Sequence, residues 1–213
     1  ITKSPVVTTY YRAIFGTAGG CKDSVVATVT VAPAPTIAPI TAPTAICVGG
    51  SLNPTAPTVT SNSATINSQS WQMETGVASN TYNDITFPHT VVIGDNGKRI
   101  RYRVTTTCTD YYSNLVAVTV NALPTATINN VAGGAICVNS TYTMDATATN
   151  GTVAWTHNGT GSFANATLED AVYTPGAGDA GNTVTLTMTV TSNTTPACTP
   201  AATATYDLVI NAL

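Results

Sequence analysis

The segment Thr183-Val184-Thr185-Leu186-Thr187-Met188-Thr189-Val190 alternates a hydroxyl-bearing residue with an apolar one along its whole length. A period of two belongs to a β-strand, whose successive side chains point to opposite faces; a helix would repeat every 3.6 residues. Thr and Val are branched at Cβ and suit a pleated, half-buried surface. The segment therefore predicts a strand with Val184, Leu186, Met188 and Val190 turned inward. Ile100, Tyr102 and Val104 alternate with Arg99, Arg101 and Arg103 in the same way.

Working outward, residues 25–31, 115–120 and 203–210 read as closing strands. Clusters at Gly49–Gly50, Asp95–Gly97, Gly133–Gly134 and Pro175–Gly181 mark turns. No stretch has the periodicity of an amphipathic helix. The composition agrees: charged residues are 8% and hydrophobic residues 43%, which is too apolar for a disordered polar tract. A net charge of −3 provides no basic footprint for nucleic acid or anionic lipid. No apolar run is long enough for a membrane span.

The five cysteines set the larger organisation. Cys47 to Cys108 is 61 residues, as is Cys137 to Cys198, and both Cys47 to Cys137 and Cys108 to Cys198 are 90. Cys21 lies 87 residues before Cys108, so it reads as the second cysteine of an earlier unit. Other landmarks keep this register: Ala45-Ile46-Cys47-Val48 recurs as Ala135-Ile136-Cys137-Val138, and Asn121-Ala122-Leu123 as Asn211-Ala212-Leu213. The chain is thus expected to be a section of a tandem array. Its parts are the C-terminal hairpin of a truncated repeat at 1–33, a full repeat at 34–123 and another at 124–213. Pro33, Pro35, Pro43 and Pro124 surround the junctions and favour a semi-rigid, extended chain.

Each repeat holds several short strands and one central tryptophan, Trp71 or Trp155. That predicts an all-β protein of tandem immunoglobulin-like antiparallel sandwiches. Asp95-Asn96-Gly97 and Asp179-Ala180-Gly181 read as the turn before the next-to-last strand. Tyr102 is either a corner tyrosine or an ordinary core residue. Cysteines at fixed spacing, with no CxxC and no histidine partner, point to disulfides and hence to export. The expected bonds lie one within each repeat, Cys47–Cys108 and Cys137–Cys198, with Cys21 bonded to a cysteine upstream. Each would staple the entering strand to the last hairpin at one pole of the sandwich.

The residues then carry a resemblance. Ile46-Cys47-Val48-Gly49-Gly50, Trp71, Ile100-Arg101-Tyr102, Cys108 and Val118-Thr119-Val120-Asn121 resemble the Ig-like repeats of very large Bacteroidetes surface proteins. Ala154-Trp155, Gly159-Thr160-Gly161-Ser162-Phe163, Tyr173-Thr174-Pro175 and Val184-Thr185-Leu186-Thr187 are similar to PKD-like and Ig-like repeats of gliding-motility adhesins of the SprB type. The resemblance covers nearly the whole chain. It implies export by the type IX system, display on the outer cell surface and a part in adhesion, and it brings no catalytic residues. Asp23-Ser24-Val25 resembles the O-glycosylation site of exported Bacteroidetes proteins.

No chemistry emerges from the remaining motifs. Glu169–Asp170 is the one adjacent carboxylate pair and reads as a solvated turn rather than a general acid and base. His89 and His157 have no ligand-spaced partners, and the linkers lack the clustered Asp and Asn that calcium needs. Catalytic, cofactor-binding and metal-ligating residues are therefore none. Lys98, Arg99, Arg101 and Arg103 form either the solvated face of a strand or a patch for an anionic glycan. Tyr111–Tyr112 and Tyr10–Tyr11 either pack inward or form platforms for sugar rings. Asn139, Asn150, Asn158, Asn165 and Asn193 begin N-x-Ser/Thr sequons, which chance alone produces in a chain rich in Asn and Thr.

The expected function is a structural and adhesive segment of an exported surface filament, and not an enzyme. The expected partners are neighbouring repeats of the same chain, with surface polysaccharide or other cell-surface proteins as candidates. The alternative is a carbohydrate-binding or spacer module of a surface polysaccharide-degrading enzyme. Exposed coplanar aromatics on one sheet would favour that alternative.

Overall fold

A computed structural model describes residues 7–31 and 33–213; residues 1–6 and 32, which belong to the expected first segment, lie outside the described residues. Among the described residues the only helical stretches are two 3₁₀ turns, Ile93–Asp95 and Ala177–Asp179. Everything else that is regular is strand, as the twofold periodicity predicts. The chain divides into two compact units that interleave in sequence. The first comprises Ile1–Ala42, Pro54–Thr86 and Arg99–Val116; the second comprises Pro43–Asn53, Phe87–Lys98 and Ala117–Leu213. They group residues by proximity, and neither coincides with a 90-residue repeat.

In the first unit, Thr9–Gly16 and Lys22–Val29 form an antiparallel hairpin with Thr9 opposite Val29 and Gly16 opposite Lys22. This is the hairpin expected around Cys21. The unit also holds a sheet in the order Asp110–Tyr112, Arg99–Thr106, Ile66–Glu74, Tyr82–Ile85, and a two-stranded pair, Thr36–Ile37 with Val59–Thr60. Its register places Tyr102 opposite Trp71 and Ile100 opposite Met73. Ile100, Tyr102 and Val104 are buried while the intervening arginines are half-buried. The Tyr102 ring meets Trp71 edge to face at 5.1 Å, and its hydroxyl donates to Gln69 Oε1 at 3.2 Å. A corner tyrosine would bond backbone, so Tyr102 is the core-packing residue of the two expected readings.

The second unit holds a four-stranded sheet in the order Ala135–Cys137, Ala202–Asn211, Thr183–Ser192, Gly151–His157. The three long strands are antiparallel. The entering strand Ala135–Cys137 runs parallel to the closing strand, with Cys137 opposite Asn211. Facing it, Tyr142–Thr143, Val172–Thr174 and Ser162–Phe163 make a second sheet. Between the two sit Trp155, Leu186, Met188, Val190, Tyr206 and Leu208 from one side and Met144 and Tyr173 from the other. Each large apolar side chain so enclosed stabilises the fold by about 1.5–3 kcal/mol relative to exposure. Trp155 spans this core and satisfies its indole N–H on the Leu168 carbonyl at 2.9 Å. These two layers make an Ig-like sandwich.

Further pieces of the same unit repeat this edge. Ile46–Cys47 pairs in parallel with Val120–Asn121, placing Cys47 opposite Asn121. The Val48 amide donates to the Asn121 carbonyl at 3.0 Å, and the Val138 amide to the Asn211 carbonyl at 3.0 Å. The closing strand expected across 115–120 is broken into Val116–Ala117 and Val120–Asn121. Val118, between them, exchanges backbone hydrogen bonds with Gly97 and Lys98 instead.

Both expected Asp turns are present and built alike. Asp95 Oδ2 accepts the Val92 amide and Asp179 Oδ2 accepts the Gly176 amide, each three residues back. The glycine two residues on has a left-handed backbone, with φ 81° at Gly97 and 77° at Gly181. That conformation carries no penalty only for glycine.

Candidate interaction sites

The cysteines join differently from the expected pairing. Cys47 is bonded to Cys198, with Cα atoms 5.5 Å apart and a sequence separation of 151 residues. Cys108, Cys137 and Cys21 are free and exposed. The expected Cys47–Cys108 and Cys137–Cys198 bonds, one inside each expected repeat, are therefore corrected to a single Cys47–Cys198 bond among the described residues. The reason is geometric: a disulfide forms where the fold brings two Cα atoms within about 7 Å. A spacing of 61 that recurs every 90 residues also places the next repeat's second cysteine 151 residues away, so spacing alone does not separate the two pairings.

Local structure explains why Cys198 reaches Cys47. Cys47 is fixed at the edge by its pairing with Asn121. The long loop between Thr183–Ser192 and Ala202–Asn211 carries Cys198 to that edge. There the Asn121 side-chain amide donates to the carbonyls of Thr195 and Pro196 at 3.3 and 3.4 Å. Thr194 Oγ1 donates to the Pro196 carbonyl at 2.9 Å, which closes the loop on itself. Cys198 is 1% exposed as a result. The recurrence of Asn121 as Asn211 was the available signal for this anchor, although its role does not follow from spacing.

The basic strand is a second candidate, and its charges are all engaged. Lys98 Nζ bonds Asp95 Oδ1 at 2.9 Å. Arg99 clamps the buried Glu74 carboxylate through Nε, Nη2 and its backbone amide, and Nη2 also reaches Asn80. Arg103 Nη2 pairs with Asp84 at 2.9 Å. Arg101 lies between two rings, its Cζ 3.8 Å from the centroids of both Tyr82 and Tyr112, while Nε donates to Gln72. The strand is neither freely solvated nor an open cationic patch: it is a half-buried ladder of paired groups. Tyr112 is consequently a cation–π partner rather than a bare sugar platform.

Electrostatics single out two carboxylates. Arg99 draws the Glu74 carboxyl down to about 2. Burial pushes Asp179 up, but amides of Thr160 and Gly176 and the hydroxyls of Tyr173 and Thr160 outweigh it and hold it at about 2. Burial and the neighbouring Asp179 raise Tyr173 to about 12. Asp95 is likewise buried and yet lowered, by His89, the Val92 amide and Lys98. These are internal anchors, not an acid–base pair facing a cleft.

The other candidates fall into place. Glu169–Asp170 lies in an exposed turn, as expected, with Asp170 accepting the Ala146 amide at 3.3 Å. His157 packs against Phe163 and Tyr173 and bonds the Gly159 carbonyl. Among the described residues no group of three or more His, Cys, Asp and Glu could hold a metal ion, and no helix is long and apolar enough to cross a membrane. Tyr10 is exposed and Tyr11 half-buried, and as successive residues of one strand they point to opposite faces. Asn158 and Asn165 use their side-chain oxygens to accept the amides of Thr185 and Thr167. Sequence reasoning missed Tyr206, whose hydroxyl donates to the Val131 carbonyl and meets the Gly134 amide and Tyr142.

No protein-family model matches the chain, and no curated protein matches it. Among solved structures it is similar to a nucleoside hydrolase-related hypothetical protein from Saccharophagus degradans associated with carbohydrate metabolism. That match has 21% identity and TM-score 0.33, covering 44% of this chain and 26% of that one. It is similar to the N-terminal four Ig domains of Dscam1 isoform 7.44, at 12% identity and TM-score 0.43, covering 95% and 54%. It is also similar to the N-terminal eight Ig domains of Down Syndrome Cell Adhesion Molecule isoform 1.30.30, at 19% identity and TM-score 0.47, covering 96% and 31%. The chain thus spans between about a quarter and about half the length of these structures. The Ig-like assignment rests on the strand order and register described above.

Proposed function

We propose that the chain is a structural and adhesive segment of a large exported surface protein, built from Ig-like repeats at 34–123 and 124–213 with the last hairpin of a further repeat at 1–33. The observation that carries this reading is the Cys47–Cys198 bond, a covalent tie across a sequence separation of 151 residues. Such a bond adds nothing to a catalytic site and much to the integrity of a string of modules, and it persists in oxidising surroundings outside the cytoplasm. The resemblance to gliding-motility repeats extends the reading to a type IX-secreted adhesin on the outer cell surface, with neighbouring repeats as its first partners and polysaccharide or surface proteins as its targets. The engaged Arg101–tyrosine stack counts against the carbohydrate-module alternative, and the proposal assigns the chain no catalysis.

Two measurements test it. Antibodies to this segment should label intact, unpermeabilised cells, and cells lacking the encoding region should attach and spread poorly. Labelling that requires permeabilisation, or normal attachment and spreading without the segment, overturns the proposal.

A further inference from the structure

The two tryptophan strands differ on the side that faces away from the rest of their sheets. In the first unit Ile66–Glu74, which carries Trp71, has a further strand beyond it: Tyr82–Ile85, with Ile85 opposite Trp71. In the second unit Gly151–His157, which carries Trp155, is the last strand of its sheet. The Trp155 amide turns away from its sheet neighbour Met188 and donates to the Ala166 carbonyl at 2.8 Å. Backbone groups two residues apart on a strand point the same way, so the amides and carbonyls of Val153 and Gly151 face that side as well. No strand meets them there among the described residues. The chain after Ala166 is held elsewhere: the Leu168 carbonyl takes the Trp155 indole N–H, and the Asp170 carboxylate takes the Ala146 amide. A groove of about 810 Å³ is left, lined by Gly151, Thr152, Val153, Leu168, Glu169 and Asp170.

Three features define the occupant. The open backbone edge is a row of donors and acceptors that an extended peptide satisfies by adding as a strand. Leu168, 54% exposed, and half-buried Val153 offer apolar contact. The charge of the groove is negative and unmatched. Glu74, Asp84 and Asp95 are paired with Arg99, Arg103 and Lys98, whereas Glu169 makes no hydrogen bond or ion pair among the described residues, and no basic residue lines the groove. A sugar ring finds no stacking face, since Trp155 is 4% exposed and no other aromatic residue is present there. We infer that the groove binds an extended, basic segment of a partner protein. That segment lies beside Gly151–Val153 as an added strand, exchanges hydrogen bonds with the backbone of Gly151 and Val153, rests an apolar side chain on Leu168 and sets a lysine or arginine against Glu169. The inference stands whether or not the chain belongs to a surface adhesin.

The test titrates the isotopically labelled 213-residue chain with the capped peptide Thr-Lys-Thr-Val-Thr-Lys-Thr, which places valine between two lysines on one face of a strand. The amide signals of Gly151 and Val153 should shift, and their hydrogen exchange should slow, at up to about 1 mM peptide. E169K should weaken the peptide roughly two- to fivefold, the worth of one exposed ion pair, with the spectrum outside the groove unchanged. A peptide carrying glutamate in place of both lysines should bind the wild type less well than the lysine peptide and E169K better. Methylating the backbone nitrogens of the peptide should weaken it roughly tenfold or more, because the added hydrogen bonds are lost. Absence of any shift, shifts confined to other parts of the chain, equal binding of the lysine and glutamate peptides, tolerance of the methylated backbone, or the same groove shifts with a neutral oligosaccharide would each overturn the inference.

Discussion

The side-chain amide of Asn121 donates to the carbonyls of Thr195 and Pro196, and so presents Cys198 to Cys47 from a loop 74 residues further along the chain. One asparagine at a sheet edge thereby holds the loop that carries Cys198. The resulting bond closes a loop of 151 residues, for which the chain-entropy model gives about 5 kcal/mol of stabilisation.

Replacing Cys47 and Cys198 together by serine should therefore lower the urea midpoint markedly, and reduction of the wild type should do the same. C108S with C137S should leave the midpoint unchanged. Equilibrium unfolding of the four samples checks this; a large loss in the C108S/C137S protein would restore the pairing within repeats.

Arg101 is held by two rings and by Gln72. R101A should destabilise by about 1–2 kcal/mol, since each partly desolvated cation–π contact contributes about 0.5–1 kcal/mol. R101K should recover only part of that loss, because an ammonium lacks the planar face that stacks between Tyr82 and Tyr112. Thermal melts decide; full recovery by lysine would show that charge alone matters.

Stability should depend on pH at both ends. Glu74 and Asp179 ionise near 2 in the fold against ordinary values of 4.5 and 3.8. Their contribution is thus fully present above about pH 5 and is lost as pH falls towards 2. Tyr173 moves the other way, from 10.0 to about 12: its share is complete below pH 10 and disappears between 10 and 12. Urea midpoints measured from pH 2 to 12 should trace these two slopes, and D179N should flatten the acid one in part.

Leu186 is fully buried among Trp155, Met188 and Leu208, so L186A should lose about 2–5 kcal/mol. Thr187, its neighbour on the outer face, should tolerate alanine within about 0.5 kcal/mol. The contrast, read by denaturant titration, tests the inward face assigned to residues 184–190.

What was legible in the sequence follows from how local each signal is. Alternation along 183–190 and 99–104 defines strands because burial on one face of a pleat repeats every second residue, and the buried set is the expected one. The Asp95 and Asp179 turns are equally local. Cysteine pairing is not, because it depends on which loop meets which edge, and a periodic chain offers the same spacing to more than one partner. Arg101 illustrates a similar limit. Its alternation places it opposite the core, yet Tyr112 arrives from the adjacent strand and Tyr82 from the next strand but one, so the stack cannot be read from residues 99–104 alone.

The Cys47–Cys198 bond also reroutes mechanical tension. When the chain is pulled from both sides, the pull crosses from Cys47 to Cys198 through sulfur, and the residues between them remain slack. Those residues would otherwise release on the order of 500 Å of contour on unravelling. An oxidised molecule is therefore nearly inextensible over this stretch, while a reduced one can act as a long shock absorber.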